Sequence, residues 1–152
     1  MSRGKVAAGL GAVAVVLAAP LVMRSEGLRT EPYLDVVRVK TVCYGETHAP
    51  MRTYTPQECE AMLMESLEKH GADIAACLPP GLPDHQKAAA LSFAYNVGAT
   101  KVCASTFAAK LRAGDPSACA ELSRWIYADG RALPGLVKRR AAERALCEGR
   151  TP

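Results

Sequence analysis

The sequence predicts an α+β fold that is mainly helical and carries one small β-hairpin. Two observations predict this class. First, β-branched and aromatic residues are concentrated between positions 36 and 44. Second, residues that typically start or end helices recur along most of the chain after position 44. At 152 residues the chain can bury the core of a single domain, and its 22% of charged residues argues against global disorder.

The charge balance narrows the class of partner. A net charge of +4 fits an anionic partner such as a cell envelope, but it is too small to indicate nucleic acid. No basic patch interleaved with aromatic residues is present either. We therefore expect no nucleic-acid partner. Separately, we expect no cofactor and a monomeric protein.

The first 24 residues differ in composition from the rest. Met1–Lys5 is short and basic, and Val6–Met23 contains no charged residue. As a helix, Val6–Met23 would be about 27 Å long, which only just spans a hydrocarbon core of about 30 Å. The segment is rich in Ala and Gly and lacks Phe, Trp and Ile, so its hydrophobicity is weak. The basic start predicts that the N-terminus stays inside and the rest is exported.

Three interpretations of this segment remain open. A signal peptide could be cleaved after Ala18, where small residues are present, although Pro20 disfavours cleavage after Ala19. A permanent anchor would be longer and richer in Leu, Ile and Phe. A marginal anchor, which holds for a time and then leaves the bilayer, fits the weak hydrophobicity best. We expect residues 1–24 to form such a segment, contacting the inner membrane through residues 6–23, and residues 25–152 to form the remaining domain.

Local signals predict the elements after this segment. Gly27 ends the first helix, β-branched residues from Val36 to Val42 form a hairpin, and Gly45 ends that hairpin. The helices that follow are predicted at Thr55 to Gly71 (with a capping box), Asp84 to Gly98, Ser105 to Leu111, Asp115 to Gly130 and Pro134 to Glu148, the last with Lys138, Arg139 and Arg140 on a basic face.

Six cysteines are many for a chain of this length. No C-x-x-C pair is present and the three histidines are scattered singly, so a metal site is not expected. An even number spread along the chain favours disulfides formed in an oxidising compartment, with buried free thiols as the alternative. Sequence leaves fifteen pairings open. Helix order alone favours Cys103 with Cys119 and Cys77 with Cys147.

Three polar residues between the first helix and the hairpin form a candidate catalytic group. Glu26 is followed by Asp35 nine positions later and by Thr41 six positions after that. Cleavage of a glycosidic bond needs an acid to protonate the leaving oxygen and a second carboxylate to hold water or act as nucleophile, and a hydroxyl can help to hold that water. These residue types are common, so the spacing alone also fits the surface of a hairpin.

Several blocks of the sequence resemble the phage-type lysozymes. The first blocks are Glu26-Gly27, Pro32 to Asp35 and Thr41 to Gly45, which match the family pattern of Glu, eight residues, Asp or Cys, five residues, and Thr. Phe93-Ala94-Tyr95-Asn96-Val97-Gly98 resembles a cleft-lining motif of the family. Further similar segments follow in family order: Ser105 to Phe107, Ala113 to Asp115, Arg124-Trp125 and Lys138 to Glu143. The resemblance covers residues 25 to 147.

This resemblance implies a lysozyme-like fold whose small β-hairpin lies beside the active-site cleft. It implies hydrolysis of the β-1,4 bond between N-acetylmuramic acid and N-acetylglucosamine in peptidoglycan. Glu26 would be the general acid, while Asp35 would activate water and Thr41 would position it. Substrate would be bound by Tyr33, Tyr95 and Asn96, and Arg139 or Arg140 would approach the catalytic carboxylates.

The chain departs from the family at one position and resembles one subgroup in another respect. Many members have a histidine after the hairpin glycine, where this chain has Glu46.

The weak apolar segment before Glu26 resembles that of signal-arrest-release endolysins of double-stranded DNA phages. That resemblance implies export through the host inner membrane, tethering, and later release into the periplasm. Val6–Met23 contains no cysteine, so control by disulfide exchange with the anchor is not expected.

Two other functions remain possible from sequence. A lytic transglycosylase would need one glutamate and would not need Asp35 and Thr41 to hold water. A membrane-anchored module that binds the cell wall without catalysis would need none of the three residues.

Overall fold

The computed structural model describes residues 9–150. Its helices are α1 (Ala12–Glu26), α2 (Pro56–Ala75), α3 (Asp84–Val97), α4 (Ala99–Cys103), α5 (Thr106–Arg112), the 3-10 helix Ala118–Arg124, and α6 (Pro134–Cys147). Its strands are β1 (Arg29–Leu34), β2 (Lys40–Cys43), β3 (Tyr127–Ala128) and β4 (Arg131–Ala132), which pair as two antiparallel hairpins. The prediction of a mainly helical α+β fold is confirmed.

Helix α3 forms the centre of the core. Every residue from Ala88 to Ala94 is buried, so this stretch is covered on all sides. Helices α1, α2 and α6 all pack against α3. The three small residues Ala88–Ala90 allow close approach of neighbouring helices, while Phe93 fills the space between Phe107 and Trp125 with edge-to-face ring contacts.

Helix α1 contains most of the apolar N-terminal segment and is part of the same core. Its buried face consists of Ala14, Val15, Ala18, Ala19, Leu21 and Val22. It ends at Glu26, and Gly27 adopts a positive φ of 74° at the C-cap, as predicted. Between residues 9 and 150, none of the helices combines the length and the apolar character that a membrane span requires. Residues 6–8 of the predicted span lie outside the described residues.

The first hairpin is displaced from its predicted position. Its strands are Arg29–Leu34 and Lys40–Cys43, whereas Val36 and Val37 occupy the turn rather than a strand. The preference of valine for strands is overridden by Asp35, whose side chain accepts two backbone hydrogen bonds within the turn. Pro32 lies in β1, where its ring keeps the preceding residue in an extended conformation.

Two predicted helices differ from the structure. Helix α2 continues past Gly71 to Ala75; Gly71 is buried, and Leu10 packs against it. Helix α3 begins at Asp84, with Pro83 at the N-cap position. The predicted helix from Asp115 to Gly130 is a 3-10 helix followed by the hairpin β3–β4.

Three disulfides use all six cysteines: Cys43–Cys59, Cys77–Cys103 and Cys119–Cys147. The predicted use of the cysteines in disulfides agrees with the structure, but both favoured pairings were wrong. Helix α5 lies between Cys103 and Cys119 in the chain, and each bonds to a cysteine more distant in sequence, 26 residues away for Cys103 and 28 for Cys119. Cys43–Cys59 ties β2 to the first turns of α2.

Candidate functional site

Glu26 lies at the C-terminal end of α1, where the chain turns into the hairpin. Its side chain is 24% exposed, and its Oε1 accepts a hydrogen bond from Arg139 Nη1 at 2.6 Å. Its Oε2 faces Gly45, where a Cβ atom would lie only 3.2 Å away. Gly45 therefore makes room for the carboxylate at the point where β2 has just ended. Within residues 9–150, Oε2 has no hydrogen-bond partner, so it is the oxygen left to interact with a ligand.

Asp35 holds the turn of the hairpin. Its Oδ1 accepts hydrogen bonds from the backbone N–H groups of Val37, at 2.9 Å, and Val39, at 2.8 Å. The Asp35 backbone N–H donates to the Val39 carbonyl, and the Arg38 N–H donates to the Asp35 carbonyl. One carboxylate oxygen thus organises the turn, and the other is available to water or substrate.

Thr41 is bound to the same residue as Asp35. Its side chain is buried, with 3% of the residue exposed, and its hydroxyl donates to the Val39 carbonyl at 2.9 Å. Because the hydroxyl proton is used by that carbonyl, the Thr41 oxygen can only accept a further hydrogen bond. Val39 therefore brings Asp35 and Thr41 together, and Gly45 brings the same hairpin against Glu26.

Arg139 is held in place by a buried charge cluster. Its Nη2 donates to the Ser92 carbonyl at 3.1 Å, and its Nε donates to Glu143 at 3.4 Å. Glu143 is fully buried; it also accepts from the Ser92 hydroxyl at 2.6 Å and lies 2.6 Å from Arg140 Nε. Burial raises the pKa of Glu143 and lowers the pKa of Arg140, while the attraction between the two charges opposes both shifts.

This cluster corrects the prediction of a basic face on α6. Only 5% of Arg139 and 1% of Arg140 are exposed, so both guanidinium groups lie in the interior. The prediction that Arg139 or Arg140 approaches the catalytic carboxylates agrees with the ion pair between Arg139 and Glu26. Ser92 and Glu143 were missed as site residues, because a glutamate three or four positions after an arginine is the usual pattern of an exposed helix face.

Tyr95 joins α3 to the hairpin. Its hydroxyl donates to the Tyr44 carbonyl at 2.6 Å and lies 3.3 Å from Glu46 Oε1. Burial, with a smaller contribution from the Glu46 carboxylate, raises the pKa of the Tyr95 hydroxyl, so it remains a donor at any physiological pH. Glu46 also accepts a hydrogen bond from the Ser66 hydroxyl at 2.6 Å. At the position where many family members have histidine, this chain therefore has a glutamate that contacts Tyr95 and Ser66.

The other two predicted substrate-binding residues lie on different elements. Asn96 is exposed at the end of α3, and its Oδ1 accepts from Arg140 Nη2 at 2.7 Å. Tyr33 is opposite Thr41 in the hairpin, and the Arg29 guanidinium lies 4.7 Å from its ring centroid. Tyr33 thus belongs to the hairpin side of the site, and Asn96 belongs to the helical side.

A scan against family models finds that residues 23–143 match the phage lysozyme model. The chain belongs to the phage lysozyme family. The match includes the last turn of α1, both hairpins and most of α6, so every residue of the candidate site lies within it. Membership makes this chain a lysozyme-type glycoside hydrolase.

Two curated relatives of this lysozyme are named SAR-endolysins. The one from bacteriophage PS119 is 39% identical over 155 aligned positions, covering 95% of this chain and 93% of the relative. The one from Enterobacteria phage P21 is 37% identical and covers 95% of this chain and 94% of the relative. Both alignments extend through the apolar N-terminal segment rather than starting at Glu26.

Solved structures share the lysozyme fold. An endolysin from Escherichia coli O157:H7 phage FAHEc1 superposes with a TM-score of 0.81 at 23% identity, covering 94% of this chain and 96% of that one. The active form of the P1 phage endolysin Lyz gives 0.76 at 24% identity, covering 93% and 96%. The predicted lysozyme-like fold is confirmed.

Proposed function

We propose that this lysozyme hydrolyses the β-1,4 bond between N-acetylmuramic acid and N-acetylglucosamine in bacterial peptidoglycan. The observation that carries the proposal is the arrangement of Glu26 and the hairpin. Glu26 presents Oε2 across Gly45, while Asp35 and Thr41 both bind Val39 and keep one oxygen each for a ligand. Two carboxylates held on separate elements, with a hydroxyl beside one, suit glycosidic hydrolysis.

In this mechanism the two carboxylates take different roles. Glu26 donates its proton to the glycosidic oxygen as the bond to the leaving sugar breaks. A water molecule donates hydrogen bonds to Asp35 and Thr41, so its lone pair points toward the anomeric carbon. As the water oxygen bonds to that carbon, the Asp35 carboxylate takes the proton that the water loses. Tyr33, Tyr95 and Asn96 would bind the sugars from the two sides of the cleft, with Tyr95 also bracing α3 against the hairpin.

The proposal includes export and release. Residues 6–23 would first lie in the inner membrane and tether the enzyme, and they would then leave the bilayer to give a periplasmic enzyme that lyses the host cell. Two relatives that align over this segment are named SAR-endolysins, which supports this part of the proposal. The packing of α1 into the core supports it as well, because the apolar residues of the segment are buried against the other helices once they have left the bilayer.

Replacing the proposed acid tests the activity. Glu26→Gln keeps the shape of the side chain but removes the proton donor, so we expect hydrolysis of purified cell walls to fall at least about a hundredfold. The matched control is Glu31→Gln, which changes an exposed glutamate of the same hairpin and should retain activity. Hydrolysis by Glu26→Gln at the rate of the unchanged enzyme would end the assignment.

Analysis of the products distinguishes the remaining alternatives. Mass spectrometry of the released sugars should show reducing ends from hydrolysis. Anhydro ends would identify a lytic transglycosylase instead. Binding to cell walls without release of either end would identify a non-catalytic binding module.

A further inference from the structure

The tip of the first hairpin, which we define as Leu34–Lys40, exposes an unusual amount of apolar surface. Val36 and Val37 are 101% and 73% exposed, and Leu34 and Val39 are 55% and 43% exposed. All four large aliphatic side chains lie within six consecutive positions. Contiguous apolar surface of this kind marks an interaction site more often than single exposed residues do.

The conformation of the hairpin tip is fixed by hydrogen bonds. Asp35 accepts from the N–H groups of Val37 and Val39, and the Arg38 N–H closes the turn on the Asp35 carbonyl. Arg38 takes a positive φ of 63°, a conformation that is costly for a residue with a side chain and that the turn imposes. The valines are therefore presented by an ordered turn.

The charges around these side chains indicate the chemistry of the partner. Arg38 and Lys40 are exposed within the tip, and neither forms an ion pair among residues 9–150. Asp35, the only acid of the tip, turns its Oδ1 toward the backbone. Aliphatic side chains combined with cations suit an anionic phospholipid surface, where the apolar groups enter between head groups and the cations meet phosphate. A glycan is bound mainly through aromatic rings and hydrogen-bonding side chains, which the outward-facing valines do not supply.

The position of the tip in the chain favours the same partner. It begins ten residues after Arg24, which follows directly on the proposed tether. Ten residues span at most about 35 Å when fully extended. With residues 6–23 in the bilayer, the tip can therefore reach the head groups of the same membrane.

We propose that the hairpin tip binds an anionic phospholipid surface and is a second membrane contact of the tethered protein. Its role in the tethered state rests on the proposed function above. Because Asp35 forms the turn of the tip, a tip bound to lipid and a hairpin bound to glycan exclude each other. Membrane contact at this point would thus withhold Asp35 from the substrate independently of Glu26.

Sedimentation with lipid vesicles tests the proposal without measuring activity. Full-length protein in its released, folded form, with α1 packed in the core, is mixed with vesicles. The vesicles consist of phosphatidylcholine alone, or of phosphatidylcholine and phosphatidylglycerol in a ratio of about seven to three, a composition chosen to give a strongly anionic surface. We expect binding to the anionic vesicles to fall at least fivefold for the double variant Val36→Ser/Val37→Ser. Arg38→Gln/Lys40→Gln should also weaken this binding. The unchanged protein should bind neutral vesicles only weakly.

The matched control removes two aliphatic side chains outside both the tip and the proposed tether. Leu133 at the N-cap of α6 and Val137 within α6 are 41% and 46% exposed, so Leu133→Ser/Val137→Ser also deletes exposed aliphatic surface and should leave vesicle binding unchanged. Equal losses in both double variants, or a loss in Leu133→Ser/Val137→Ser alone, would overturn the proposal. Reduced wall hydrolysis by Val36→Ser/Val37→Ser with unchanged vesicle binding would identify the tip as a glycan contact and would also overturn it.

The same assay separates this proposal from the proposed activity. Glu26→Gln should bind anionic vesicles as the unchanged protein does, since Glu26 lies outside the tip. A protein that binds vesicles through the tip but does not hydrolyse cell walls would retain this inference and reject the muramidase assignment. A protein that hydrolyses cell walls but binds no vesicles would retain the muramidase assignment and reject this inference.

Discussion

At the scale of single residues, Asp35 combines a structural task with the catalytic task proposed for it. Its Oδ1 holds the turn through two backbone hydrogen bonds, and its other oxygen has no part in the turn. The side-chain amide of asparagine can accept the same two hydrogen bonds but carries no charge. The methyl group of alanine accepts no hydrogen bond and carries no charge. Substitutions at this position therefore separate the two tasks.

We expect Asp35→Asn to lose activity while keeping its stability. Asp35→Ala should lose both, with a loss of about 1–2 kcal/mol in the free energy of unfolding from the two missing hydrogen bonds. Thermal unfolding and release of reducing ends from cell walls measure the two effects. If Asp35→Asn is destabilised as much as Asp35→Ala, the hydrogen bonds at Oδ1 do not support the turn.

Glu143 is the residue on which the position of Arg139 depends. Glu143 is fully buried between two guanidinium groups, and its removal would leave two positive charges close together in the interior. We expect Glu143→Gln to lower the free energy of unfolding by about 3 kcal/mol. Denaturant unfolding measures this loss.

Glu148→Gln is the control for that variant. Glu148 follows the end of the same helix and pairs with Arg144, but 32% of its side chain is exposed. Its loss should change the free energy of unfolding by less than about 0.5 kcal/mol. Equal small effects of both substitutions would show that the buried cluster contributes little to stability.

At the scale of elements, sequence predicted the starts of three helices from local signals. The capping box of Thr55 and Glu58, the cap at Ser105 and Pro134 at the start of α6 depend on residues within one turn, and all three are present. The spacing of the three proposed catalytic residues is also a local feature, because Glu26, Asp35 and Thr41 lie within sixteen consecutive positions.

Features that depend on distant parts of the chain were missed. Disulfide pairing depends on which helices meet, and burial of Arg139 and Glu143 depends on what covers α6.

The hairpin β3–β4 was also missed, although its turn has a local signal in the sequence. Asp129 and Gly130 both take positive φ values, and Asp-Gly is a typical pair for a two-residue hairpin turn. The apolar residues before it gave a stronger, and wrong, indication of a helix.

The Cys43–Cys59 disulfide should matter for activity as well as for stability. It closes a 16-residue separation between β2 and α2, and such a crosslink contributes about 3 kcal/mol by restricting the unfolded chain. Because it holds the strand that carries Thr41, we expect Cys43→Ala/Cys59→Ala to hydrolyse cell walls more slowly even at temperatures where it remains folded.

Removing Cys77–Cys103 is the matched comparison. This disulfide joins the connection after α2 to the end of α4, away from the hairpin, and should contribute similar stability. We expect Cys77→Ala/Cys103→Ala to unfold at a lower temperature but to keep its activity while folded. Equal loss of activity in both variants would show that the hairpin needs no crosslink to hold the site.

At the scale of the whole molecule, the N-terminal segment cannot satisfy two environments at once. Residues that would lie in the bilayer before release form the buried face of α1 in the folded enzyme. A protein tethered in the proposed way would therefore lack α1 in its core, and with it the helix that ends at Glu26. In this scheme, release from the bilayer and completion of the proposed catalytic site are a single event. Substitutions can nevertheless distinguish the strength of the tether from the packing of α1, because only some residues of the segment are buried in the folded protein.

Two substitutions to leucine distinguish these contributions. Ala12 is exposed and Ala18 is fully buried, yet both lie in the proposed tether. Leucine favours the bilayer more than alanine does, so Ala12→Leu and Ala18→Leu should both increase the fraction of full-length protein that remains in the membrane. Only Ala18→Leu should also overfill the core and lower the free energy of unfolding of the released enzyme, by about 1–3 kcal/mol.

Membrane fractionation before and after collapse of the membrane potential measures the release. The unchanged protein should move from the membrane to the soluble fraction without shortening, and both leucine variants should move more slowly. Thermal unfolding of the soluble protein then separates the variants, because Ala12→Leu should unfold at the same temperature as the unchanged enzyme. A shortened N-terminus in the soluble fraction would indicate a cleaved signal peptide, and in that case α1 could not form in the active enzyme.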